Sequence, residues 1–225
     1  LRAGEVKVLL DTYGVTERDA VLRLARDARR RSTSRVPDWA KTFLGMEADA
    51  AEIRTYQTEL VPGLFQTEAY ARVVTQAAKP AGDPREVERL VAAKTERQQR
   101  LHSSAPPLIW AIINEAAIRR QVGDREIIGR QLQHLADLAA DPNITIQVLP
   151  FSAGAHPAMG TSFVHLRLAD PPDAEMIYLE DMTSADYLDK PAHVSTYYTA
   201  FGMLAAAALD PAASTLLIKN AALGE

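Results

Sequence analysis

The sequence contains no cysteine, so it has no disulfide framework, no thiolate nucleophile and no cysteine metal site. It also lacks any apolar run close to the about 20 residues that span a bilayer. The first residues, Leu1-Arg2-Ala3-Gly4, do not begin a signal peptide. From these absences we expect a soluble protein of the cytoplasm.

The common catalytic and cofactor motifs are absent as well. The sequence has no GxGxxG fingerprint, P-loop, HExxH or GxSxG elbow. Its five histidines are scattered, and no two of them stand four residues apart, the spacing that places two metal ligands on one helix face. We therefore expect no metal, cofactor or catalytic residue.

An overall excess of positive charge is missing too. The formal net charge is −4, which gives the chain as a whole no attraction for phosphate backbones. Arginines nevertheless crowd residues 18–35, and Arg23, Arg26 and Arg30 belong to this cluster. Two interpretations stay open: a solvated basic helix face, or a flank that contacts DNA phosphates beside a DNA-binding unit.

The order of the periodic segments predicts the fold class. Helical patterns come first, strand patterns occupy the middle of the chain, and helical patterns return at the end, which is typical of an α+β domain. We predict long N-terminal helices, a central, mostly antiparallel sheet of about four strands, and C-terminal helices. The predicted strands are 108–113, 144–149, 162–168 and 175–180.

An apolar seam follows the polar, proline-terminated segment 32–37. Its residues recur at steps of three and four from Trp39 to Leu60, which predicts one long helix. The seam either packs on the core or contributes to a dimer interface. The residues we assign to that interface are Trp39, Phe43, Met46 and Ile53.

A proline-glycine corner, 61–67, follows this predicted helix. Because its apolar residues leave few positions for solvent, we expect it to be packed on the core. Three later helices have strong start signals, since an aspartate that can cap the helix stands at Asp83, Asp124 and Asp210. Proline follows Asp83 and Asp210 at the first helical position.

Candidate binding residues lie near the predicted strand ends. Glu115 and Arg119 either form a simple i, i+4 ion pair or bind a polar ligand. His156 lies in a glycine-containing loop between two predicted strands, where binding groups often cluster. Glu180 ends the fourth predicted strand. We predict that a ligand-binding surface is lined by five residues, namely Tyr70, Glu115, Arg119, His156 and Glu180.

Six blocks of sequence stand out beside these candidates: FLGMEA at 43–48, IRTY at 53–56, LVPGLFQTEAYAR at 60–72, NEAAIRR at 114–120, ITIQVLPF at 144–151 and GAHP at 154–157. In order and approximate spacing they resemble the C-terminal domain of a large actinobacterial group of XRE-type helix-turn-helix regulators, often described as antitoxin-like. The match runs from about Trp39 to the C-terminus.

The resemblance implies a domain organisation and a set of partners. Residues 1–31 look like the last helices of the helix-turn-helix domain, 32–38 like a linker, and 39–225 like the C-terminal sensing and dimerisation domain. The recognition helix that would enter the major groove is then missing from this chain. The implied partners are a second copy of the chain, DNA through the missing helices, and a small cognate protein or a small-molecule effector.

Two rival functions remain at this stage. The first is an enzyme derived from such a regulator, which converts a small molecule in a pocket at the end of the sheet. The second is an antitoxin-like protein-interaction module without a small-molecule pocket. A deep polar cavity around Glu115 and His156 would count against the second rival.

Overall fold

The chain divides into two compact units, Leu1–Pro37 and Asp38–Glu225. The structure, a computed structural model, describes residues 38–224 except 80, 81, 172 and 173, and of the first unit only residues 10, 12, 13 and 18. The arginines of the predicted DNA flank, Arg23, Arg26 and Arg30, lie outside the described residues, and so does the side chain of Trp39.

Within the described part of the second unit, seven α-helices surround one six-stranded sheet. The helices are α1 (Asp38–Asp49), α2 (Glu68–Ala78), α3 (Pro84–Gln98), α4 (Glu115–Arg119), α5 (Arg125–Leu138), α6 (Pro191–Ala207) and α7 (Pro211–Leu223). The strands are β1 (Ala50–Gln57), β2 (Leu108–Asn114), β3 (Ile144–Leu149), β4 (Phe163–Leu168), β5 (Glu175–Glu180) and β6 (Ala185–Leu188). The predicted α+β class is confirmed, with six strands instead of about four.

The strand order is β3-β2-β1-β4-β5-β6. The β1–β2 and β2–β3 pairs are parallel, whereas β1–β4, β4–β5 and β5–β6 are antiparallel. Because β4 runs against β1, its first residue lies at the same edge of the sheet as the carboxyl ends of β1, β2 and β3. The long β3–β4 connection starts and finishes at this edge.

The sheet is covered on both faces. On the first face, Ile53, Ile109 and Leu166 join a core with α5 and α7. On the second face, Tyr56, Ile112 and Phe163 pack against α6 through residues such as Phe201. A central strand that is buried on both faces carries apolar residues on both, so it shows no clean alternation.

Strand β1 overturns the prediction of one long helix from Trp39 to Leu60. The helix ends at Asp49, and Ala50–Gln57 forms the strand at the centre of the sheet. Ile53 and Tyr56, three residues apart, point to opposite faces, and both are buried. Pairing with β2 and β4 on its two sides outweighs the local helical spacing, since strand preference depends on tertiary neighbours.

The residues assigned to a dimer interface occupy different environments. Ile53 is 2% exposed in the core of its own chain. Phe43 stacks on Tyr178 with ring centroids 4.1 Å apart, and Met46 packs against the first-face core. Most of the surface of Phe43, Met46 and Ile53 is therefore used within the chain, and the role of the four assigned residues in a dimer stays a prediction.

The predicted packed corner is confirmed. Val61 and Phe65 are buried, and Gly63–Phe65 forms a short 3-10 turn. Its backbone is held by side chains from two helices: Gln131 of α5 donates to Phe65 O and accepts from Thr67 N, both at 2.7 Å, and Tyr70 of α2 accepts from Val61 N at 3.3 Å. The corner thus joins β1 to the helices that cover the first face.

The predicted helix starts are also confirmed. Asp83, Asp124 and Asp210 each accept a hydrogen bond from a backbone N–H of the helix that they precede, and Thr67 does so for α2. These caps satisfy donors that would otherwise have no partner at the helix ends.

Among the described residues, no single helix has both the length and the apolar composition to cross a membrane. Helices α6 and α7 together meet the two criteria, but they are bent by 71° relative to each other.

Candidate functional site

A polar cluster lies at the edge of the sheet where β1 and β2 end. It consists of Tyr56, Asn114, Glu115, Arg119 and His156. Ligands of open sheets commonly bind in the crevice outside the carboxyl ends of parallel strands, and this edge is such a position. We call these five residues the strand-end cluster.

Tyr56 is the centre of the strand-end cluster. Tyr56 is the second-last residue of β1, and its side chain points to the second face of the sheet. Its hydroxyl oxygen lies 3.3 Å from both Asn114 Nδ2 and His156 Nε2. The tyrosine and histidine rings meet edge to face, with centroids 5.5 Å apart. Burial raises the pKa of Tyr56, and the hydrogen bond from Asn114 offsets only part of that rise. The phenol therefore keeps its proton at neutral pH.

The contacts of Tyr56 favour one arrangement of protons. Because Asn114 Nδ2 can only donate, the Tyr56 oxygen accepts from it, and the Tyr56 proton is free to point to His156 Nε2. An imidazole that accepts at Nε2 carries its proton on Nδ1. That nitrogen is buried and has no hydrogen-bond partner among the residues that the structure describes. A buried donor without a partner costs about 1 to 3 kcal/mol, which an acceptor from a ligand or an ordered water would recover.

Asn114 and Glu115 are positioned by the end of β2. Asn114 caps the short helix α4 by accepting from Ala116 N at 2.9 Å, so its amide group is oriented toward Tyr56. Glu115 accepts from Arg119 Nε at 3.3 Å and from Phe151 N at 2.8 Å. Glu115 therefore makes the predicted ion pair and also fixes the start of the β3–β4 loop, which carries His156.

Of the five predicted binding residues, Glu115 and Arg119 bind each other, and His156 lies further along the loop in which Phe151 donates to Glu115. Tyr70 lies elsewhere, fully buried beneath the corner. Glu180 is exposed at the end of β5, and its charge acts on Tyr178 and on Lys94 of α3. The five residues do not form one surface.

Sequence reasoning missed Tyr56 and Asn114. Tyr56 was assigned to a helix, in which it would not meet Asn114. Asn114 did have a recognisable signal, because an asparagine directly before a helical segment is a common N-cap. The contact between Tyr56 and His156, which are 100 residues apart in sequence, has no local signal.

A second polar cluster on the same face is a network of charges. Glu52 accepts from Arg54 Nε at 2.7 Å and from Arg167 Nε at 3.0 Å. Burial opposes ionisation of Glu52, but the hydrogen bonds from Arg167 and Arg54 outweigh it and lower its pKa. His165, 3.5 Å from Glu175, is held neutral because burial lowers its pKa. Each acidic residue of this network lies next to a basic residue. Such a network is typical of residues that stabilise the fold.

No group of three or more histidine and acidic side chains that could hold a metal ion occurs among the residues that the structure describes. The strand-end cluster contains one imidazole, one carboxylate, one guanidinium, one amide and one phenol, with the carboxylate engaged on both oxygens. Such a set suits recognition of a polar molecule by hydrogen bonds.

The fold and this cluster define an α+β domain with a candidate recognition site at the end of a mixed sheet. Residues 40–220 match the family DUF5753, described as a domain of unknown function, and the chain belongs to that family. No curated protein and no solved structure matches the chain.

Proposed function

We propose that this chain contains the sensing and dimerisation domain of an antitoxin-like, XRE-type helix-turn-helix transcriptional regulator of the cytoplasm. The sequence blocks that resemble such regulators fall within the DUF5753 match at 40–220. The observation that carries the sensing role is the strand-end cluster, in which the buried Nδ1 of His156 has no partner among the described residues. Its signal reaches DNA through a helix-turn-helix unit of the longer regulator.

The chemistry of the cluster favours binding over catalysis. The raised pKa of Tyr56 keeps its phenol protonated, so it donates a hydrogen bond and does not act as a base near pH 7. Both oxygens of Glu115 are already bonded, to Arg119 and to the backbone of Phe151. A bound effector that takes up the donor of His156 changes the β3–β4 loop, and this change biases one state of a dimer over another.

Chromatin immunoprecipitation tests the regulatory role. We expect the tagged natural gene product to occupy discrete promoters in the organism that encodes it, since a regulator reads particular sites. Replacing His156 with alanine is expected to change transcription from those promoters at an unchanged protein level. The matched control is His193→Ala, a substitution on the exposed surface of α6. Uniform background at all promoters, or equal transcription in both variants and the natural protein, would contradict the proposal.

Dimerisation is tested separately on this chain. The known dimers of helix-turn-helix regulators bind two half-sites with one reader each, so we expect static light scattering to give twice the mass of the chain at micromolar concentration. A clean monomer under these conditions would contradict the proposed dimerisation. The sensing role would then still be tested by the transcription measurements on the His156→Ala variant.

A further inference from the structure

The inward face of α3 carries an unusual residue. Val87 and Val91 of this face are buried, and Lys94 follows Val91 by three residues, one turn further along the same stripe. The second half of this helix, from Lys94 onward, is mostly polar in sequence. In the structure it faces the rest of the chain, because Arg97 pairs with Glu47 of α1 and Gln98 donates to Gln66 O of the corner.

Lys94 is half-buried, and its ammonium makes few contacts. Within the described part of the chain it donates one hydrogen bond, to Gln66 Oε1 at a long 3.4 Å, although an ammonium carries three donors. Gln66 is itself 4% exposed, and its amide nitrogen donates to Val61 O at 2.8 Å, which fixes the direction of its oxygen. Among the described residues, no carboxylate forms an ion pair with Lys94.

The acids near Lys94 do not supply a counterion in contact with it. Glu47 is bonded to Arg97 at 2.8 and 2.7 Å through both of its oxygens. Glu180 attracts Lys94 only from a distance, and burial, followed by the charge of Arg97, lowers the pKa of Lys94. A partly desolvated cation with unused donors gains more from a contacting anion than an exposed lysine does.

We propose that Lys94 is a binding site for the carboxylate group of a small molecule, whose oxygens take the place of the missing counterion, while Gln66 keeps its own oxygen on the ammonium. Arg97 neutralises Glu47, and Glu180 acts on Lys94 only from a distance, so the surroundings accept one added negative charge more readily than two. The site is built from α3 and the corner and does not depend on the proposed regulatory function or on the strand-end cluster.

Nuclear magnetic resonance of lysine side chains tests the proposal on the chain itself. The Cε signal of Lys94, identified by its loss in Lys94→Met, is titrated with pH in chloride and in acetate. If acetate binds the ammonium at least tenfold more tightly than the neutral amine, the apparent pKa of Lys94 rises by about one unit or more in acetate. The signal of Lys219, which is exposed on α7, serves as the internal control and is expected to stay unchanged.

Three results would overturn the proposal. The first is a Lys94 signal that does not respond to acetate, and the second is an equal response of Lys94 and Lys219. The third concerns the class of anion: inorganic phosphate, a dianion that Glu180 repels more strongly, is expected to bind more weakly than acetate, and tighter binding of phosphate would reject a carboxylate site. These readouts are independent of DNA binding, so they can fail while the regulatory role stands.

Discussion

Replacing Phe163 with alanine is expected to lower the free energy of unfolding by about 3 to 5 kcal/mol. Phe163 is 2% exposed at the start of β4. Its ring lies 5.0 Å from that of Tyr197 and 6.4 Å from that of Phe201, both on α6, and 6.2 Å from that of Tyr56. Removing the ring leaves a cavity between the sheet and the only described helix that covers this face.

Urea denaturation measures this loss, with Phe151→Ala as the matched control. Phe151 is 61% exposed in the β3–β4 loop, so its truncation is expected to change the free energy of unfolding by no more than about 0.5 kcal/mol. Because Phe163 also contacts Tyr56, the Phe163→Ala variant should disturb the strand-end cluster as well. Equal losses in the two variants would show that α6 does not depend on this ring.

Replacing Gln131 with leucine is expected to lower the free energy of unfolding by about 2 to 6 kcal/mol, although leucine is similar in size and more apolar. Gln131 is fully buried, and its amide satisfies two backbone groups of the corner, Phe65 O and Thr67 N. Leucine leaves both groups buried without a partner, and each such group costs about 1 to 3 kcal/mol. The loss therefore comes from the backbone of the corner and not from the volume of the side chain.

The matched control is Gln133→Leu on the same helix. Gln133 is exposed and pairs with Asp137 one turn away, an interaction worth a few tenths of a kcal/mol. Thermal and urea unfolding of both variants give the comparison. A Gln131→Leu variant as stable as Gln133→Leu would show that water or another side chain takes over the two backbone groups.

The strand-end cluster was predictable only in part, and the reason lies in the separation of its members. Glu115 and Arg119 stand one helical turn apart, so their pairing is visible in the sequence. His156 was recognised from its glycine-containing loop. Its partner Tyr56 was not, because the spacing of Phe43, Met46 and Ile53 favoured a continuous helix through that position.

Gln131, which is buried, and Lys94, which is half-buried, show the same limit. Gln131 and Lys94 each follow apolar neighbours at helical spacing, where a sequence-based assignment reads a polar residue as an exception to the core stripe. Their partners, the backbone of the corner and Gln66, are 66 and 28 residues away. What fixes these side chains is the need of buried polar groups for a partner, which only the folded chain can supply.

The sequence by itself determined the α+β class, the helix starts at Asp83, Asp124 and Asp210, the four strands from β2 to β5, and the packed corner. Each of these depends on caps, turn residues or apolar runs within a few neighbouring positions. Only the tertiary structure decided that Ala50–Gln57 is a strand, and that Tyr56, Asn114 and His156 meet at its end. Strand β1 lacks such a local signal and gains its stability from pairing with strands that are distant in sequence, so its position could not be read from its own residues.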